Sequence, residues 1–418
     1  VILMTGLIRT ISSVIDVAAR LVIVLGITVA GVSAQQSAPR PGRVYVVHAI
    51  DTETRDLNPF VYSQTLMFRD SEGHRVEFTW FALTHESYLF SDRKSATVVF
   101  EQLDRYAQQM KFLGDAVGWH YHNADWNNPH DTTDNAGCWK QFITFDGSDY
   151  MHGSDIALAE GMLARLIIDK RVYPSVYRSG WTWESAEFSR WLDDVVPFDF
   201  SNAAPLTSLM PRSVRDTSGG AYDWMRAPSD WSYYHPDSSD YQKAGKLKRT
   251  IFRCFPGHRA IDLNFSMAFK KAKSGENVLV AAYAHSFDDL AQFCRITTST
   301  LRNTSQAFPE VRYEFVTALE GVKRVRGLEN EKPPRIRMRR IGNEFVVISN
   351  KPLYCFPYGA ARDASGAYFR VRPTSVNPDR SRRDYRWTFD LSRMNFVEFA
   401  AACVDVAGNV VLTPKYRS

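Results

Sequence analysis

From Arg43 onward the chain alternates short apolar runs with longer stretches of helical period. "RVYVVHAI", followed by Asp51, and "VEFTWFAL", Val76 to Leu83, have the length and the β-branched and aromatic content of strands. "SATVVFEQLDRYAQQMKFLGD" then shows helical periodicity, which predicts a helix with Ser95 as its cap. The same reading predicts a third strand in "AVGWHYH" and a helix from Ser154 to Lys170. Further strands are predicted in "PSVYRSG", "VPFDFS" and "NVLVAAYAH", the last from Asn277 to His285, before a helix in "SFDDLAQFCRITTSTLRN". Strands alternating with helices predict a parallel α/β domain over residues 43–327.

The pattern changes near Leu328. From "EKPPRIRMRRIGNEFVVISNKPLYCF" to the end, short alternating strands and turn residues predict an all-β sandwich over residues 328–418. Charge changes with it: from Glu331 onward there are 16 Lys and Arg against 8 Asp and Glu, an excess of 8, which leaves the rest at −3 within a total of +5. A basic accessory module of this kind suits an acidic polymer or a membrane surface, with a solvated basic face as the plain alternative. There is no zinc-finger or helix-turn-helix signal, so no nucleic-acid partner is expected.

At the other end, Arg9 and Arg20 precede the apolar run Leu21 to Val32, and "VSA" ends at Ala34. This predicts an export signal over residues 1–34, or an anchor extending back through "ISSVIDVAA", and then a polar linker over 35–42. Either reading places the body of the protein outside the cytoplasm. The five cysteines, Cys138, Cys254, Cys294, Cys355 and Cys403, form no Cys-x-x-Cys pair, so a Cys-rich zinc site is not expected. Their odd number leaves at least one thiol unpaired, and burial as small apolar side chains is the default. The 26 Phe, 19 Tyr and 10 Trp make the chain aromatic-rich, which fits carbohydrate binding although most rings will serve the core.

Candidate chemistry gathers where the predicted strands end, which is where parallel α/β folds place their sites. Asp51 and Glu53 follow the first strand; His120 and His122 end the third; Arg178, Trp181 and Trp183 follow from "VYRSGWTW"; Asp199 lies in "VPFDFS"; and His285 ends "NVLVAAYAH". Residues two apart in a strand share a face, so His120 and His122 point the same way, as two ligands of one metal would. Trp126, Tyr177 and Trp181 are candidate platforms for sugar rings, with packing as the alternative.

These motifs, in this order, resemble the polysaccharide deacetylases of the NodB homology type, over roughly Arg43 to Val325. "HAIDTE" is similar to that family's Asp-containing first motif, "FTWFAL" to its Ala-Thr-Phe-Phe-like run, and "GWH" to its Gly-x-His. "YRSGW" is similar to its Arg-x-x-Tyr-like motif, "DFSN" to its Asp-Ser-Ser-like motif, and "YAHS" to its late histidine. Two positions depart from the usual pattern: Ala124 stands where a second histidine would complete His-x-x-x-His, and Thr52 where a second Asp would follow Asp51.

The resemblance implies a distorted (β/α)7 barrel and a divalent metal, Zn²⁺ or alternatively Co²⁺ or Ni²⁺. His120 and His122 would hold it with Glu53 as third ligand, or with Asp125 or Asp51 in its place. The implied reaction is removal of acetyl from an N- or O-acetylated sugar or polysaccharide. Asp51 would be the general base, oriented by Arg178, and His285 the general acid, with Trp126, Tyr177, Trp181 and Asp199 against the acetylated glycan. Two readings compete: a deacetylase-like carbohydrate-binding protein without turnover, and a glycoside hydrolase using Asp51 with Asp199 as its two carboxylates.

Overall fold

The computed structural model describes residues 40–52, 61–84, 94–122, 124–126, 139–141, 156–204, 224–257, 262–379 and 384–418. The expected export segment, most of the linker, Glu53 and Cys138 lie outside the described residues. No helix among the described residues is long and apolar enough to cross a membrane.

In chain order the first strands are β1 (Arg43–Thr52), β2 (Phe78–Thr84), β3 (Ala116–Tyr121), β4 (Ala124–Trp126), β5 (Trp139–Gln141), β6 (Val176–Ser179), β7 (Phe198–Asn202), β8 (Thr250–Pro256), β9 (Val278–His285) and β10 (Arg312–Phe315). β4 and β5 form a separate antiparallel pair. The order β1-β2-β3-β6-β7-β8-β9 is parallel throughout, and β9 pairs with β1 from Val44 to Asp51, which closes a seven-stranded barrel. β2 pairs only with the last part of β1, His48 to Thr52, and β10 takes the edge left open from Arg43 to Val46.

The helices are α1 (Val61–Thr65), α2 (Lys94–Leu113), α3 (Ile156–Arg165), α4 (Ala186–Leu192), α5 (Asp262–Lys273), α6 (Leu290–Ala307) and α7 (Ala318–Arg326). Ser95 lies inside α2, as its second residue, rather than capping it. α6 is capped by Asp289, whose side chain accepts from Gln292 N–H, and α7 by Thr317, which accepts from Glu320 N–H.

The period of two sorts each barrel strand into two faces. Tyr45, Val47 and Ala49 of β1, Phe81 of β2, Phe198 and Phe200 of β7, and Phe252 and Cys254 of β8 form one cluster, the filled interior of the barrel. The alternate residues face outward: Val44, Val46 and Ile50 pack with Phe265 and Phe269 of α5. Trp119 and Tyr177 pack with Leu163 of α3 and with Phe188 and Trp191 of α4.

The remaining strands are β11 (Ile336–Ile341), β12 (Glu344–Ser349), β13 (Tyr358–Asp363), β14 (Tyr368–Val371), β15 (Ser375–Asp379), β16 (Asp384–Asp390), β17 (Phe396–Val404), β18 (Val410–Leu412) and β19 (Tyr416–Arg417). They form two antiparallel sheets, β11-β12-β16-β15 and β14-β13-β17-β18, with β19 on β17. Phe345, Val347, Trp387 and Phe389 of the first sheet meet Ala361, Phe399, Ala401 and Cys403 of the second in one core, as a sandwich requires. The other face of the second sheet is also buried: Tyr358, Ala360, Ala400, Ala402 and Val404 belong to the cluster that contains α3 and α4. The Tyr358 hydroxyl donates to the Glu160 carbonyl at 2.6 Å, tying sheet to helix.

Candidate active site

The inward face of β1 ends in Asp51, in register with His285 at the end of β9. His120 of β3 is in register with Arg178 of β6, and both continue the inward parity of their strands. Four strands thus bring four ionisable side chains to the carboxyl end of the barrel.

Asp51 and Arg178 are almost completely buried, and Arg178 Nε donates to both carboxylate oxygens at 3.0 and 2.9 Å. Arg178 Nη1 donates to the Phe200 carbonyl at 3.2 Å, and the guanidinium carbon lies 3.6 Å from the centre of the Tyr283 ring. Burial opposes the charge on Arg178, but the Asp51 carboxylate outweighs it and raises the guanidinium pKa. The cation is therefore permanent, and it fixes the orientation of the carboxylate. Beneath it, burial pushes the Cys254 thiol up to about 12, with Arg178 only partly offsetting this, so Cys254 is no nucleophile.

His120 Nδ1 lies 2.9 Å from the Arg178 carbonyl, which can only accept, so that nitrogen carries the hydrogen and Nε2 presents its lone pair. Nε2 of His122 stands 3.0 Å from Nε2 of His120, the rings meeting nearly edge to face. Gly180 makes room for this: a β-carbon there would come within 2.3 Å of the His122 ring. Two imidazole nitrogens bound to one tetrahedral Zn²⁺ at about 2.0–2.1 Å would lie roughly 3.3 Å apart, so the pair fits a shared cation after a small opening. A backbone carbonyl behind a ligating imidazole is the usual way its tautomer is held.

The third ligand is not found among the described residues, where no group of three His, Cys, Asp or Glu side chains converges on a cation. Glu53 lies outside them, and Asp125 is described only as part of β4. Asp51 Oδ1 is 3.8 Å from His120 Nδ1, and both carboxylate oxygens accept from Arg178. As placed, Asp51 is a candidate base rather than a ligand.

His285 is about one-third exposed, with Nδ1 3.4 Å from Asp288 Oδ2 and its ring stacked on Phe287 at 4.8 Å. It sits at the open mouth while Asp51 lies within, a division that suits a proton donor to a departing group and a base held inside.

Two expected substrate contacts are corrected by strand parity. Tyr177 precedes Arg178 and so faces outward, fully buried against Trp119 and Phe188. Asp199 likewise faces outward from β7, fully buried, where it and Glu184 both bind the Arg249 guanidinium. Neither presents a group to a glycan, and the loss of Asp199 removes the carboxylate partner that the glycoside hydrolase reading required. Trp126 lies in β4 and Trp181 in the short helical turn Gly180–Thr182, and their side chains are outside the described residues. Sequence reasoning missed Tyr283 and Gly180. Tyr283 was within reach, being two residues before His285 on a strand and therefore on the same inward face.

No protein-family profile matches the chain, and no curated relative matches it. Among solved structures it is similar to a protein from Parabacteroides distasonis provisionally named a glycoside hydrolase/deacetylase, at 12% identity and a TM-score of 0.38, with 88% of this chain and 86% of that one covered. It is also similar to a Bacteroides thetaiotaomicron protein provisionally named an alpha-L-fucosidase, at 7% identity and a TM-score of 0.31, with 86% and 90% covered.

Proposed function

We propose that the chain is a metal-dependent hydrolase that removes acetyl groups from an N- or O-acetylated sugar or polysaccharide. The observation that carries this reading is the Asp51–Arg178 pair buried beside two histidines whose Nε2 atoms converge to 3.0 Å at the barrel mouth. His120 and His122 would hold a divalent cation, Zn²⁺, Co²⁺ or Ni²⁺, with Glu53 as the proposed third ligand. A cation there would supply Lewis acidity.

The chain's own residues then divide the proton transfers. Asp51, oriented by Arg178, takes a proton as water adds to the acetyl carbonyl carbon. His285, protonated, gives one to the amine or alcohol as the C–N or C–O bond breaks, releasing acetate. Trp126 and Trp181 are the proposed glycan contacts that remain.

The test is acetate release from N-acetylated chito-oligosaccharide and from acetylated xylan, with chelator and after return of each metal. Release that stops with chelator and recovers with metal is expected. Asp51→Asn should lower kcat by about 100-fold or more while bound metal is unchanged. Binding of either glycan without any turnover would replace the hydrolase by the binding-protein reading, and release indifferent to chelator would remove the metal.

A further inference from the structure

A cavity of about 590 Å³ opens at the end of the barrel opposite the candidate active site. Its barrel wall is Asp194, shortly before β7, and Lys248, just before β8, so it lies at the amino ends of these strands, whereas Asp51, His120 and His285 stand at carboxyl ends. Its other wall is the sandwich: Tyr354 and Phe356 from the segment before β13, Arg370 and Arg372 from and after β14, and Tyr385 and Trp387 from β16.

We propose that this cavity binds a carboxylated sugar unit, a hexuronic acid of a polysaccharide chain, independently of hydrolysis at the mouth. Its volume lies within the range of small-ligand sites, about 300–1,000 Å³. Its aromatic content suits the apolar face of a sugar ring: Tyr385 and Trp387 lie parallel, centres 6.3 Å apart, and Phe356 is 54% exposed.

Charge selects the acid. Among the described residues, Lys248, Arg370 and Arg372 line the cavity against the single carboxylate of Asp194. Behind them, Arg370 Nη1 and Arg372 Nη2 both donate to the same oxygen, Oε1 of Glu160, at 2.9 and 2.7 Å. A guanidinium carries five donors, and the Arg372 side chain is 60% exposed, so it retains donors for a ligand carboxylate. Lys248, 47% exposed, is held by Asp194 at 3.2 Å on the opposite wall. The cations line a concavity with rings beside them, which fits a saccharide better than the flat headgroup plane of a membrane.

The full chain would be titrated calorimetrically at low salt with tetragalacturonate and, as the uncharged counterpart, maltotetraose. Tetragalacturonate should bind at least about tenfold more tightly than maltotetraose, and weaken as salt is raised. Arg372→Gln and Lys248→Gln, both at exposed positions, should each weaken it by about fivefold or more while the chain stays folded at the assay temperature, checked by circular dichroism. Acetate release from a small soluble substrate should be unaffected in both, so this site and the hydrolase reading fail separately. The proposal is overturned by no binding, by equal binding of maltotetraose, by both variants binding as the parent does, or by capture on phosphatidylserine vesicles in place of the oligosaccharide.

Discussion

His48 shows how far burial alone can move a titratable residue. It faces outward from β1 into a ring of aromatic side chains, 5.0 Å from Phe315 and 5.3 Å from Phe293, with Nε2 2.9 Å from Thr297 Oγ1 and Nδ1 without a partner among the described residues. Desolvation lowers its pKa from 6.5 to about 3. Between those values the unfolded chain binds a proton that the folded one refuses. The contribution is therefore intact above pH 6.5 and is lost as pH falls toward 3, at up to about 1.4 kcal/mol per pH unit. His48→Phe keeps the ring and removes the titration. Urea unfolding at pH 7 and pH 4.5 should show a smaller acid loss in the variant than in the parent, and equal losses would show that His48 is not the source. The same residue marks a limit of sequence reading, since a histidine inside a strand gives no sign of its face until the face is known.

At the scale of the element, the alternation of β9 places Leu279, Ala281, Tyr283 and His285 along one side. Tyr283 thereby supplies the ring under Arg178, and burial pushes its hydroxyl up to about 12, so it stays neutral there. Tyr283 is a positioning residue for the Asp51–Arg178 pair. Tyr283→Leu removes the aromatic face and should lower kcat about tenfold with KM little changed, whereas Tyr283→Phe should restore most of it. Equal loss in both variants would assign the effect to the hydroxyl instead. Parity was legible in the chain from the start: with Arg178 inward, Tyr177 had to face outward. What the apolar pattern did not announce was β8, because Arg253 interrupts its run. That arginine is buried over the Trp231 ring and donates to the Ala204 carbonyl, neither of which is near it in sequence.

For the whole molecule, the second sheet of the sandwich is buried on both faces, so Pro41–Ser418 forms one unit. Glu160 of α3 is a meeting point: its side chain accepts from Arg370 and Arg372, and its carbonyl from Tyr358. Removing residues 328–418 would uncover Leu163, Tyr173 and Trp191 and leave Glu160 without these partners. The truncated chain should aggregate or unfold at markedly lower temperature, seen by size-exclusion chromatography and thermal unfolding. A soluble monomer with the parent's midpoint would show that the sheets are separable from the barrel after all.

The sequence by itself determined the alternation of strands and helices, the change to β structure near Leu328, and the strand ends at which Asp51, His120, Arg178 and His285 stand. These are local properties, carried by apolar period and by residues a few positions apart. Tertiary structure decided the rest. Closure of β9 onto β1 set His285 beside Asp51, and the Arg178–Asp51 pair joins residues 127 positions apart. The turning of Tyr177 and Asp199 into the outer core, and the sharing of one core by sheet and helices, follow from which faces the closed barrel leaves to be covered. Such choices depend on surfaces that exist only once distant segments have packed, and no window of the sequence contains them.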